Sequence, residues 1–226
     1  MTMKGNDEAG TVVAGADCVG LPPLRANPEA MAAALDQVAR ADAAVVPLLA
    51  LAECQEFIDA GADLAFRSAK PVIGEGERSV YQDFDICLSI PQAHRLWQLT
   101  QAVERLIAAA LGTMTEPPLE TLPLNDLVLQ RYPPGARGIT PHRDHVRYVG
   151  LVVIVQMSGD GRFGLCADRS GTGARVLDAG PGDGILMRAP GFGGAKDRPF
   201  HFLDGITAER YSLGIRSDKT AEPAAG

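Results

Sequence analysis

After Pro117-Pro118 the chain changes texture, and that change limits the folds open to it more than any other feature. Downstream come short β-type runs at residues 127–132, 149–157, 162–166, 175–178, 185–188, 200–203 and 210–216. They are separated by Pro133-Pro134-Gly135, Ser158-Gly159-Asp160-Gly161, Gly180-Pro181-Gly182-Asp183, a glycine-rich loop at 190–194, and Asp204-Gly205. Many short strands with regular turn signals bury their apolar faces by forming a sandwich or barrel. Helices first and strands after make an α+β arrangement, with the helices over one outer face, rather than alternating βαβ units.

Upstream the apolar spacing is helical. Asn27 can cap a helix in which Pro28 takes the first position and Met31, Leu35 and Val38 form the stripe, ending near Asp42. Residues 44–46 read as a short strand broken at Pro47. A second amphipathic helix over 51–63 rests on Leu51, Cys54, Phe57 and Ile58, with a stop signal at Gly61. A third, over 92–111, carries Leu96, Val103, Leu106, Ile107 and Ala110 on one stripe and closes at Gly112. His94 and Trp97 fall in its first two turns, and His94 reads as a solvated helix residue. Between 67 and 90 the pattern is irregular, with a turn at 74–77 and a possible strand over 80–88. Such a stretch supplies either substrate contacts or an ordinary connection.

With 226 residues the chain suits one domain around an enclosed site. Residues 1–26 lack periodicity and read as a flexible arm dispensable for the fold; 27–218 form the domain and 219–226 a tail. The first 16 residues do not form a secretory signal, and no apolar run spans a bilayer, so a cytoplasmic location is expected. Cys18, Cys54, Cys87 and Cys166 form no Cys-x-x-Cys pair and read as reduced, mostly buried thiols. Residues 1–124 carry 8 Lys/Arg against 17 Asp/Glu, whereas residues 125–216 carry 12 against 9. A basic focus in a chain of net charge -7 suits a small anionic ligand and argues against nucleic acid, which needs a broad basic face.

Two stretches of the strand-rich half carry chemistry. In His142-Arg143-Asp144 the two outer residues point to one side if the segment is a strand, and His201 from a distant strand adds a second imidazole. Two histidines and one carboxylate on one face suit Fe(II) and leave positions open. The His-x-Asp spacing alone is common by chance, so its weight comes from the surrounding chain. On a strand over 210–216, Arg210, Ser212, Gly214 and Arg216 share one face, while Tyr211, Leu213 and Ile215 share the other and can pack under the helices. Turned inward, two arginines require anionic partners; turned outward, they are simply solvated. Gln130 and Tyr132 share a face of an earlier strand. His145 points away from Asp144 if that strand continues. Arg143, Arg147 and Arg198 read as rim residues or as contacts to an anionic substrate.

Gln130-Arg131-Tyr132-Pro133-Pro134-Gly135, His142-Arg143-Asp144, Gly182-Asp183, His201 and Arg210-Tyr211-Ser212-Leu213-Gly214-Ile215-Arg216 occur in an order and spacing that resembles the Fe(II)- and 2-oxoglutarate-dependent dioxygenase superfamily. The resemblance covers about residues 125–216 and implies a double-stranded β-helix, or jelly roll, at about 123–217. It implies His142, Asp144 and His201 as iron ligands, and Arg210 with Ser212 as partners of the distal carboxylate of 2-oxoglutarate. The closing strand is similar to that of the AlkB-like branch, which adds Gln130, Tyr132 and Arg216 as further co-substrate contacts. The implied cofactors are Fe(II), 2-oxoglutarate and O2, with succinate and CO2 as co-products. Related halogenases carry a small residue where Asp144 stands, so its carboxylate implies hydroxylation or another oxidation. The expected substrate is a small molecule, such as an amino acid or natural-product intermediate. The alternatives are an AlkB-like nucleic-acid demethylase, a protein hydroxylase, or a non-catalytic or cupin-like jelly roll.

Overall fold

The structure is a computed structural model and describes residues 20–221. It opens with α1 (Pro28–Ala41), where Pro28 occupies the first turn and the Asn27 side chain accepts the Ala30 N–H at 2.9 Å. Then come β1 (Ala43–Pro47), α2 (Leu51–Ala60), β2 (Arg67–Ser68), β3 (Val72–Ile73), β4 (Val80–Asp83), β5 (Asp85–Cys87) and α3 (Arg95–Leu111). The second half is β6 (Asp126–Tyr132), β7 (Gly138–His142), β8 (Tyr148–Gln156), β9 (Arg162–Cys166), β10 (Arg175–Val176), β11 (Asp183–Arg188), β12 (Phe200–Asp204) and β13 (Arg210–Asp218).

These strands form two antiparallel sheets. The larger has the order β1-β11-β8-β13-β6-β5-β2 and the smaller β10-β9-β12-β7-β4-β3. Helices cover only the outer face of the larger sheet, giving the α+β jelly roll that the strand-rich half predicts. Strand alternation divides the core in two. Leu127, Leu129, Leu151, Val153, Val155, Leu186, Leu213 and Ile215 meet the helix stripes of Met31, Leu35, Leu96, Val103 and Ile107. Tyr132, Val152, Ile185 and Met187 point the other way and meet Phe163, Leu165 and Leu203 of the smaller sheet. No helix among the described residues is long and apolar enough to cross a membrane.

The structure departs from the sequence reading in four places. The irregular 67–90 stretch extends both sheets: β4 pairs with β7, β5 pairs with β6, and buried Phe84 marks the crossing from one sheet to the other. His94 is the N-cap of α3, so that helix starts at Arg95 rather than at 92. Its Nδ1 accepts the Leu96 N–H at 3.2 Å and its Nε2 donates to the Ala60 carbonyl at 2.8 Å, joining α3 to the end of α2. Residues 1–19 of the expected arm lie outside the described residues, but 20–26 are attached: Arg25 N–H donates to the Leu48 carbonyl at 2.9 Å and Ala26 is buried. Likewise 222–226 lie outside them, while Lys219 N–H donates to the Arg147 carbonyl at 3.1 Å. Backbone contacts of this kind leave no periodic trace in a sequence.

The fourth departure shapes the site. The 138–142 segment contains no recognisable β-run, yet it is β7, paired with β12 through His142↔His201 and Leu203↔Ile139. Three steps on β7 oppose two on β12, so β7 carries a bulge, and Ile139 and His142 both face the interior. Gly138 opens this strand at φ 80, where an added Cβ would lie 2.0 Å from the Leu203 carbonyl oxygen. Gly135 has the same φ of 80 and open space around it. Gly138→Ala should therefore cost about 3 kcal/mol or more and Gly135→Ala only about 1 kcal/mol, read as denaturant midpoints at constant m-value.

Candidate active site

The group that could hold a metal is assembled where strands end. His142 is the last residue of β7 and His201 the second of β12, and as direct cross-strand partners their rings lie 4.2 Å apart. Asp144 lies beyond the end of β7, so the expected alternation along a strand does not deliver it. The chain still turns it inward, and ligand atoms of His142, Asp144 and His201 all lie within 4.8 Å of one another. The His142 ring contacts the Thr140 carbonyl through Nδ1 at 3.0 Å. With the proton on Nδ1, Nε2 is free to bind a metal. Phe163 stacks on His201 at 5.6 Å and fixes its plane. This donor set fits Fe(II), which takes two imidazoles and a carboxylate on one face.

Electrostatics favours the metal-binding protonation states. Burial and the neighbouring His201 hold the His142 pKa well below the ordinary imidazole range, and burial lowers that of His201 as well. Burial alone would raise Asp144, but the imidazoles, Arg216 and Arg198 outweigh it and keep the carboxylate ionised.

Every residue singled out for the co-substrate lines the same pocket. Gln130, Tyr132, Arg210, Ser212 and Arg216 surround it together with the three metal-binding residues, and Ile139, Ile154, Phe163 and Leu203 supply apolar wall. Their meeting follows from one register: Arg210 pairs with Tyr132 and Ser212 with Gln130 across β13 and β6. Tyr211, Leu213 and Ile215 pack under the helices, as the alternation predicts.

Arg210 is only 1% exposed, which excludes the solvated-strand reading. Its Nη1 donates to the Asp160 carbonyl at 3.2 Å, its Nε has no partner, and no carboxylate pairs with it among the described residues. Burial lowers its pKa to about 10, so it stays charged at neutral pH. Arg216 shares the unpaired Nε but differs in its Nη1, which lies 3.3 Å from the Asp126 carboxylate, so this arginine already has its anion within the protein. Sequence reasoning missed Asp126, although the register that sets Tyr132 against Arg210 also sets Asp126 against Arg216.

The other candidates fall outside the pocket. His145 accepts the Arg147 N–H through Nδ1 and closes a turn. Arg147 pairs with Asp218 at 3.1 Å and bonds the Tyr148 hydroxyl at 2.7 Å, so it is structural. Arg143 lies over the Phe200 ring at 4.2 Å. Arg198 instead reaches the Asp144 carbonyl. Cys54 and Cys87 are buried free thiols and Cys166 is half-buried, while Cys18 lies outside the described residues.

No family model matches the sequence, and no curated protein matches it. Solved structures do resemble the fold. A prolyl hydroxylase from Trichoplax adhaerens, in complex with a hypoxia inducible factor oxygen degradation domain peptide fragment, aligns at TM-score 0.61 and 13% identity over 85% of this chain and 90% of that one. A 2OG-Fe(II) oxygenase family oxidoreductase from Burkholderia pseudomallei aligns at 0.59 and 16%, over 86% and 93%. A prolyl-4-hydroxylase from Pseudomonas putida aligns at 0.53 and 19%, over 84% and 100%.

Two outcomes are expected of this geometry. Arg210 is a buried charge without a carboxylate, so Arg210→Met should leave the thermal midpoint of the ligand-free protein unchanged or raised, while a partnered structural arginine would lower it. Unfolded histidines protonate near pH 6.5 whereas His142 and His201 resist protonation, so stability is complete above about pH 6.5 and falls as pH drops below it. The metal-free midpoint should fall between pH 7 and pH 5, and His142→Gln with His201→Gln should flatten that slope; a pH-independent wild-type midpoint would contradict the buried neutral pair.

Proposed function

The chain has the fold of the 2-oxoglutarate and Fe(II) oxygenases, and from that premise we propose that it is such an enzyme. In this reading it hydroxylates an unactivated C–H bond of a small molecule, such as an amino acid or natural-product intermediate, with succinate and CO2 as co-products. One observation carries the reading. A fully buried arginine with an unpaired Nε lines the pocket that also holds the two-histidine, one-aspartate group. A buried guanidinium is costly unless an anion reaches it, and its planar fork matches a carboxylate.

His142 and His201 offer neutral imidazoles to the metal and Asp144 offers the single negative charge. Arg210 and Ser212 hold the distal carboxylate of 2-oxoglutarate, with Tyr132 and Gln130 facing them from the next strand. Arg216, already paired with Asp126, acts through its positive charge beside Asp144. Fe(II), when bound with 2-oxoglutarate and O2, supplies the oxidising chemistry that removes hydrogen from the substrate carbon. Ile139, Ile154, Phe163 and Leu203 exclude bulk water from that chemistry.

The charge distribution supports a small substrate rather than a polyanion. Net charge is -7, yet Arg216 and Arg198 bring positive charge close to Asp144. A nucleic-acid substrate would need a wide basic surface instead.

Anaerobic addition of Fe(II) and 2-oxoglutarate should give a visible charge-transfer band in the wild type, absent in Arg210→Ala and in Asp144→Ala. With O2 and a small-molecule panel, succinate should form together with a product heavier by one oxygen atom. A missing band together with no succinate across the panel would leave a ligand-binding jelly roll as the better description.

A further inference from the structure

Of the three metal-binding residues, Asp144 is the one no strand holds. β7 ends at His142 and β8 begins at Tyr148. Two bonds close the turn between them, from the Tyr148 N–H to the His145 carbonyl at 3.1 Å and from the Arg147 N–H to His145 Nδ1 at 3.2 Å. Both lie beyond Asp144. Among the described residues one hydrogen bond reaches the Asp144 main chain: Arg198 Nη1 donates to its carbonyl oxygen at 2.5 Å.

Arg198 is itself firmly placed. It precedes Pro199, which restricts it to extended backbone, in the short run leading to His201. Its neighbour Asp197 is fastened by Arg188 of β11, whose Nη1 reaches the Asp197 carboxylate at 2.7 Å and its carbonyl at 3.1 Å. Arg188 is anchored in turn to Asp42 at the end of α1, through Nε to the carboxylate at 2.5 Å and through its N–H to the carbonyl at 3.0 Å. A continuous set of contacts thus runs from α1 through β11 to the Asp144 loop.

We propose that Arg198 is a positioning residue that fixes the Asp144 loop, so that its carboxylate faces His142 and His201. This rests on reading the three residues as a metal site. The contact is suited to the role because it takes a main-chain carbonyl. Both carboxylate oxygens remain available to a cation, whereas an arginine paired directly with the carboxylate would compete with the metal. Arg198 also ties the two distant ligand segments together, since it belongs to the approach to His201.

The test is Mn(II) affinity by titration calorimetry, without co-substrate or turnover, for wild type, Arg198→Ala and Arg198→Lys, beside the thermal midpoint of each metal-free protein. Arg198→Ala should weaken Mn(II) binding roughly 10- to 100-fold, the usual effect of losing a contact that orients a ligand, with the metal-free midpoint unchanged. Arg198→Lys, which keeps a charged donor on a long stem, should recover much of that loss. Affinity within twofold of wild type in Arg198→Ala overturns the proposal, as does a loss matched by a lower metal-free midpoint. If the wild type itself binds no Mn(II), the metal-site reading fails instead.

Discussion

The structure depends on β13 keeping two incompatible faces apart. This strand lies between β6 and β8 in the larger sheet, with ladder bonds along both edges. One face carries Leu213 and Ile215, each fully buried beneath the helices and each contributing about 1.5–3 kcal/mol through burial. The other face carries Arg210 and Ser212 into the interior. A guanidinium held away from water is destabilising by several kcal/mol, and the packed face together with two ladders offsets that cost. A shift of one residue in register would exchange the faces, placing arginines under the helices and leucines in the pocket. Fold and site chemistry are therefore fixed by the same pairing.

The two histidines and the aspartate obey a different constraint. Imidazoles at the middle of two paired strands would be buried by neighbours on both sides and leave little room for a further ligand. At the open end of β7 and near the start of β12, His142 and His201 are paired directly across the strands, with His201 also opposite Leu165 of β9, and both rings line the pocket. The bulge completes this arrangement. Without the extra residue, Ile139 and His142 would lie on opposite faces, and either the apolar wall or one imidazole would leave the pocket.

Much of this was legible because it depends on period and chemistry. Alternation along 210–216 identified both faces of β13, and Asn27-Pro28 with its stripe identified α1. The residues that meet in the pocket were legible for a related reason: histidine, aspartate and arginine in that order carry chemistry that few structural roles require. What the sequence hid depends on pairing. β2 and β3 contain two residues each, too few to show a period. β7 has proline near its end and a bulge within it, so its alternation is broken. His94 reads as an exposed helix residue until α2 is known to end against it. Asp126 could have been found by extending the register that joins Tyr132 to Arg210, whereas the link from Arg198 to Asp144 crosses 54 residues and leaves no local pattern.

The distribution of charge partners gives the firmest guide to where a ligand belongs. Arg131 has Asp85, Arg147 has Asp218, Arg162 has Asp204, Arg188 has Asp42 and Asp197, and Arg216 has Asp126. Arg131, Arg147 and Arg162 are well exposed, where a missing partner would cost little because water screens the charge, whereas Arg188 and Arg216 are largely buried and keep their carboxylates. Arg210 is the most buried of them and lacks a carboxylate among the described residues. A buried guanidinium without a carboxylate is suited to an anion, and its planar fork matches a carboxylate. The three metal-binding residues border the same pocket, so a small dianion with a second carboxylate could bind Arg210 at one end and a metal at the other. A buried cation suited to a carboxylate thus lies beside a donor set suited to a metal, and both depend on the register of β13 and on the meeting of β7 with β12.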